Sequence, residues 1–463
     1  MRPQFGGTLR VHMGSRVASL DPRQWPAEAR KISAAERLDS LVFDRLTRLD
    51  ARGVLQPALA VAWQHDADSK RWQFRIRENV KFSDGTLLTP SIAAMALQQL
   101  LGVSFDVSAN SDSVVVQADH SMPALPMQLS TGRYFIFRVA EDNAVSGTGP
   151  FRVAEWPSSD PAGPMKAAFV ANETCWAGRP FVDKIEILAG ADIQQLPDAI
   201  SFGQADVVEL SPSQVRREGQ RGVRAVSSEP VDLFTLVPDP ASPALQDERV
   251  RRAISLAIDR ASIADVILQK GAVPAGGLLP NWISGYAHLF PPTFDLARAK
   301  ELLAASGRDF SANKPLVLIH DSGDAEAQAV ADRVAVNLRE AGITLRVTEP
   351  VTSAKSVEAG GSLRLVRHRL TAPDPAAALS ELLASFGKST VEMPTLAEVC
   401  AAERGEIDGL RTIPLVHVTE SYGLSPQVRD WMAPRWGGWD LADVWLGPAS
   451  TTPAAATQGS GAP

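Results

Sequence analysis

The sequence predicts an α/β fold, and three patterns carry that prediction. Residues 316–347 read as strand, helix, strand: an apolar run from Leu316, a helical stretch from Ala325 to Ala341 stopped by Gly342, then a strand from Ile343 to Val347. Short segments that alternate apolar and polar residues recur along the chain, as half-buried strands do. Between them lie stretches with helical spacing, clearest in residues 247–268, where Val250, Ala253, Ile254, Ala257 and Ile258 share one stripe. At about 100–200 residues per domain, 463 residues allow several compact units.

Taken in order, Thr8 to His12 reads as the first strand, and Asp21-Pro22 as a turn. Leu38, Leu41, Val42 and Leu46 predict a helix over 34–48. Trp72, Phe74 and Ile76 alternate with Arg71, Gln73, Arg75 and Arg77, a strand closed by the tight turn Ser83-Asp84-Gly85. Thr89-Pro90 then sets a helix start, hydroxyl cap before proline. Residues 114–116, 134–137, 151–153, 185–188 and 207–210 are further strand candidates, and Gly147-Thr148-Gly149-Pro150 breaks the chain before the third of them. The stripe of 247–268 predicts one continuous helix stopped by Gly271, and another helix runs over 296–305 to Gly307. The small, polar residues after Gly447 show no periodicity, so 447–463 is expected to be a disordered tail.

Composition excludes more than it selects. A net charge of -7 with scattered Lys and Arg argues against a nucleic-acid partner, which demands a basic patch. Cys175 and Cys400 stand alone with no C-x-x-C; they read as small buried hydrophobes, with a long-range disulfide between them left open by the sequence. No stretch reaches the roughly 18 apolar residues of a membrane span, and residues 1–11 carry neither the basic nor the apolar region of a signal peptide; a mature exported chain would look the same. The seven histidines are dispersed, and there is no phosphate-binding glycine loop, no His-Glu-x-x-His and no nucleophile elbow. Neither an enzyme nor a cofactor is indicated.

Several blocks, in order, resemble one family. They are Gly6-Gly7-Thr8-Leu9-Arg10-Val11 with Leu20-Asp21-Pro22; Phe43 to Asp50 with Leu55 to Trp63; Trp72 to Thr86; Gly147 to Phe151; Asn172 to Pro180; and Asp247 to Arg260. Residues 295–307 and 337–343 add two more. Together they resemble the family 5 extracellular solute-binding proteins of ABC transporters, the dipeptide-, oligopeptide- and nickel-binding kind. Most of these residues read as scaffold: Gly85 for a positive φ, Asp84 for a local turn bond, the helical stripe for core.

The resemblance implies an α/β, two-lobed periplasmic-binding-protein-like fold with a hinge and an extra subdomain in the first lobe. Residues 1–40, 150–235 and 430–446 would form the first lobe, 41–149 the inserted subdomain and 236–429 the second lobe. The implied function is the substrate-binding subunit of an importer. It would be a monomer that captures a small-molecule or peptide ligand and delivers it to an ABC permease complex from the periplasmic or extracellular side. Rival readings are a nickel or haem carrier, a ligand-sensing receptor and a hydrolase with a spatially assembled site.

One departure concerns the ligand. Peptide binders of this family carry an Asp that meets the peptide's α-ammonium, a few residues before an Asp/Glu-Pro pair. Here Asp374-Pro375 fits the pair, Thr371 stands where that Asp would be, and His368 where an aromatic would be. A hydroxyl cannot offset the desolvation of an ammonium, so ordinary peptides are expected to bind poorly, and Arg367, His368 and Arg369 suggest an anionic or sugar-like ligand instead. Alternation sends Arg367 and Arg369 to one face of a strand and His368 to the other. Of the tryptophans near the end, Trp436 sits in a loop-like Pro-Arg-Trp-Gly-Gly setting and is the one expected to stack on a ligand. The candidate ligand-binding residues are therefore Asp21, Arg367, His368, Thr371, Asp374 and Trp436, with none catalytic and none a metal ligand.

Overall fold

The computed structural model describes residues 2–25, 29–50, 52–140, 145–157, 163–311, 315–321, 323–349, 362–388, 393–432 and 435–448. Beyond its first two residues, the tail expected to be disordered lies outside them. An eleven-stranded mixed sheet runs through both lobes. On the first-lobe side the order is Phe151–Glu155, Met165–Ala171, Lys184–Ala189, Thr8–Met13 and Val207–Leu210. Next come two long antiparallel strands, Ile413–Leu424 and Arg224–Pro238, and then Ser362–Arg369, Leu316–His320 and Leu345–Thr348 in the second lobe. The short strand Ala272–Pro274 pairs with Ile413–Leu424 off this path.

The two long strands cross from one lobe to the other. At one end, Leu424 to Ser421 pair with Val207 to Leu210 of the first lobe. At the other, Asp232 to Pro238 pair with Arg369 to Leu363 of the second. Their mutual register breaks between the two: Ser227 faces Ser421 and Pro230 faces Thr419, so Ser228 and Glu229 lie opposite the single residue Glu420. This is a β-bulge, and Pro230 explains its place, because a proline has no N–H to give a ladder.

Each lobe has its own core. In the first, Leu9, Val11, Phe151, Phe169 and Ile185 are continuous with the inserted subdomain's Trp72, Phe74, Leu97, Val114 and Val116. That subdomain is a four-stranded antiparallel sheet backed by the helix Pro90–Leu101, which Thr89 caps as its sequence predicts. The second lobe buries both faces of its sheet. Phe234 joins Ile254, Leu318 and Val330 on one face, while its neighbour Leu233 joins Leu278 and Leu379 on the other.

Three local expectations need correction. The first helix is Ala29–Val42, not 34–48; it ends where Asp44 turns to form a bridge with Ile136. Asp44 accepts hydrogen bonds from Thr148 and Trp176, both at 2.8 Å, and a Cβ at Gly147 would stand 2.0 Å from the Val42 carbonyl oxygen. Three of the sequence blocks thus meet at one joint. Residues 134–137 are core loop with a single bridge, because buried apolar runs look alike in strand and loop. The stripe of 247–268 is interrupted: Glu248–Ala257 ends at Ile258, and Asp259 caps a new turn by accepting from the Ser262 N–H.

Candidate functional site

The lobes meet at the bulge, and charged side chains gather there from both. From the first lobe come Ser33 and Arg37 on the first helix and Glu209 on Val207–Leu210; from the second come Asp232, Glu326 and Arg367. Thr419, Glu420 and Ser421 supply the crossing itself. Together they line a cavity of about 20 Å³, room for one water molecule.

Arg37 is fully buried, with its guanidinium over the rings of Tyr422 (5.7 Å) and Trp439 (5.5 Å). It donates to the Tyr422 hydroxyl at 3.1 Å and to Glu209 at 3.4 Å. Arg367 pairs with Glu326 at 2.7 Å and Asp324 at 3.5 Å, and its Nε donates to Asp232 at 2.7 Å. Burial alone would favour deprotonation of Arg367; those three carboxylates overcome it and raise its pKa. Glu420 accepts from Arg369 at 2.9 Å, from the Gly438 N–H at 2.6 Å and from the Ser33 hydroxyl. Burial would push its carboxyl up, but Arg369 and Arg37 outweigh that and hold it down at about 2.

The candidate residues fall in different places. Arg367 lines the cleft, and Arg369 shares its face through Asp232. The spare positive charge expected here needs correcting, since both arginines are matched by carboxylates. His368 points the other way, as alternation requires. Its ring nitrogens lie 3.0 Å from Thr235 Oγ1 and 3.1 Å from Ser385 Oγ, and burial lowers its pKa to about 4, so it is neutral. Asp374 caps the helix Pro375–Ser385 by accepting from the Ala377 N–H. Asp21 caps the short turn Pro22–Gln24, and Arg23 occupies both its oxygens. Trp436 is half-buried; its carbonyl accepts from Arg369 at 3.3 Å, and its ring lies 3.6 Å from where a Cβ on Gly53 would stand.

Thr371 brings a second correction. Its hydroxyl donates to Glu381 at 2.5 Å, so a carboxylate stands beside the position that lacks one in the sequence. Glu381, on the helix Pro375–Ser385, feels the charge of Glu36 on the first lobe's helix and in turn acts on Tyr134 of the inserted subdomain. Burial, with help from Glu36 and against the Thr371 bond, raises its pKa to about 7.

Sequence reasoning missed Arg37, Glu209, Asp232, Glu326, Glu381 and Glu420. A signal existed for some of them. Arg37 shares the stripe of Leu38 and Leu41, and Asp232 interrupts an apolar run beside Pro230. A charge inside a buried pattern asks for a partner.

Comparison with known proteins gives these features a context. A model of the family described as "Bacterial extracellular solute-binding proteins, family 5 Middle" matches residues 54–390. Protein XP55 of Streptomyces lividans is 27% identical over 352 residues, which cover 67% of this chain and 62% of that protein. The nickel-binding periplasmic protein of Escherichia coli (strain K12) is 25% identical over 387 residues, covering 74% of this chain and 73% of that one. The oligopeptide-binding protein AppA from Bacillus subtilis, solved with a nonapeptide, superposes with a TM-score of 0.76 at 15% identity, covering 96% of this chain and 100% of AppA. With the two-lobed sheet and the matched span, the chain belongs to the bacterial extracellular solute-binding proteins of family 5.

Proposed function

We propose that the chain is the capture subunit of an ABC-type importer. It takes a small solute between its lobes and presents the loaded form to a membrane permease, acting as a monomer on the periplasmic or extracellular side. The single observation behind this reading is the cleft: charged residues of both lobes converge at a bulged two-strand crossing, where a tilt of the lobes would open or close a chamber. No step of this work requires chemistry on the solute. The limits of the moving bodies are proposed at the bulge, near Ser228 on one long strand and Glu420 on the other, several residues before the boundaries 235/236 and 429/430 read from the sequence.

The carboxylate beside Thr371 removes the argument against ligands with a free ammonium. Peptides therefore stand among the candidate cargoes, a class also met in AppA's nonapeptide complex. The test is mass spectrometry of small molecules released on denaturing the purified protein, followed by calorimetry with the species found. Recovery of a solute that rebinds stoichiometrically supports the reading. A protein that releases nothing and binds none of a panel of peptides, sugars, organic anions and nickel chelates would count against it.

A further inference from the structure

We propose that Glu420 and Arg369 form a latch that holds the two lobes together in the absence of cargo, seated through Gly437. The bulge makes the latch possible. Two residues opposite one leave Glu420 outside the regular ladder, and its N–H donates to the Ser228 hydroxyl at 3.0 Å instead. The extra residue belongs to the facing strand Arg224–Pro238, and opposite it the Glu420 side chain lines the cavity where the lobes meet.

Its partners come from both sides. Ser33, the Gly438 N–H and Tyr422 belong to the first lobe's core region, while Arg369 ends the second lobe's strand Ser362–Arg369. Arg369 also reaches the Trp436 carbonyl, so one guanidinium ties the second lobe to Glu420 and to the loop that carries Gly437 and Gly438. Gly437 is what lets that loop approach. A Cβ there would lie 2.5 Å from Glu420 Oε2 and 2.7 Å from Arg369 Nη2, and its φ of +79° is one that side chains rarely adopt. The contact is also incomplete: the buried Nε of Arg369 has no acceptor among the described residues. A latch built this way holds and can still release.

The one-water cavity follows from the same contacts, since closure brings the chain's own charges into the space a solute would occupy. The latch therefore makes the cargo-free chain compact, and cargo adds little further compaction. This does not depend on which solute is carried, and it survives if the transport reading fails.

Small-angle scattering on protein stripped of solutes by unfolding and refolding tests it, with circular dichroism to confirm the fold of each variant. Wild type is expected near the radius of gyration of a compact chain of this length, about 23 Å. Glu420→Gln and Gly437→Ala are each expected to expand by roughly an ångström, while Arg252→Gln, which breaks an exposed helical pair, leaves the radius unchanged. Ser33→Ala, which deletes a single hydroxyl, keeps the question answerable if Glu420→Gln does not fold, and it too should expand. Folded latch variants with the wild-type radius overturn the proposal. So does a cargo-free wild type already as expanded as the variants.

Discussion

Glu420 at the crossing and Glu381 on the helix Pro375–Ser385 are both carboxyl groups near the junction of the lobes, and their pKa values are pushed in opposite directions. Glu420 sits among two arginines, a hydroxyl and a backbone N–H, and is held at about 2. Glu381 has one hydroxyl for a partner and another carboxylate, Glu36, for a neighbour, and is raised to about 7. Burial pushes both carboxyls upward. What separates them is the sign of the charge that faces them, so burial alone never decides the state of an interlobe acid.

The largest effect should come from emptying the crossing. Glu420→Ala leaves Arg369 buried with Asp232 as its remaining carboxylate partner, and should cost about 3–5 kcal/mol in urea unfolding. A loss under 1 kcal/mol would mean that water replaces the carboxylate at once.

The comparison sharpens along the pH axis. Glu420's pKa is lowered on folding, so its contribution is full above the ordinary carboxylate range, near 4.5, and is lost as pH falls toward 2. Glu381's is raised, so its contribution is full below about 4.5 and is lost as pH rises through 7. Glu381→Gln should therefore gain roughly 1–3 kcal/mol relative to wild type between pH 4 and pH 8. Parallel stability profiles for the two proteins over that range would show that Glu381 titrates normally.

Smaller effects probe the neighbours. His368→Leu leaves the Thr235 hydroxyl without its ring partner and should cost about 1 kcal/mol. Wild type should show no histidine titration at this site near pH 6.5; because the ring is neutral when folded, its contribution is lost only as pH falls from about 6.5 toward 4. Smallest of all, Thr371→Val removes the hydrogen bond that favours ionised Glu381, and should move that group's titration, followed by NMR, upward by less than about one unit. A downward move would place another donor on Glu381.

Local chemistry made much of the fold legible. The cap at Thr89, the αL glycines at 307 and 342 and the strand–helix–strand over 316–347 all follow from neighbours within a few residues. The site was less legible because its contacts span long separations. Ser33 and Glu420 are 387 positions apart, and Asp232 and Arg367 are 135 apart. Thr371 shows the limit most clearly. Read as a motif position it had lost a carboxylate; read in space, one turns back to it from the helix ten residues on.

The paired crossing also bears on how the chain folds. The second lobe is entered along Arg224–Pro238 and left along Ile413–Leu424, and Leu236 lies directly across from Ile413. Its two ends are therefore neighbours, and the lobe is an insertion whose closure is completed by its own sheet. The first lobe must wait: Thr8–Met13 finds its partners Val11↔Val207 and His12↔Val208 early in synthesis, but Val207–Leu210 also needs Leu424 to Ser421, which emerge after the whole second lobe. On the ribosome, the later-made lobe can be finished before the earlier one is closed.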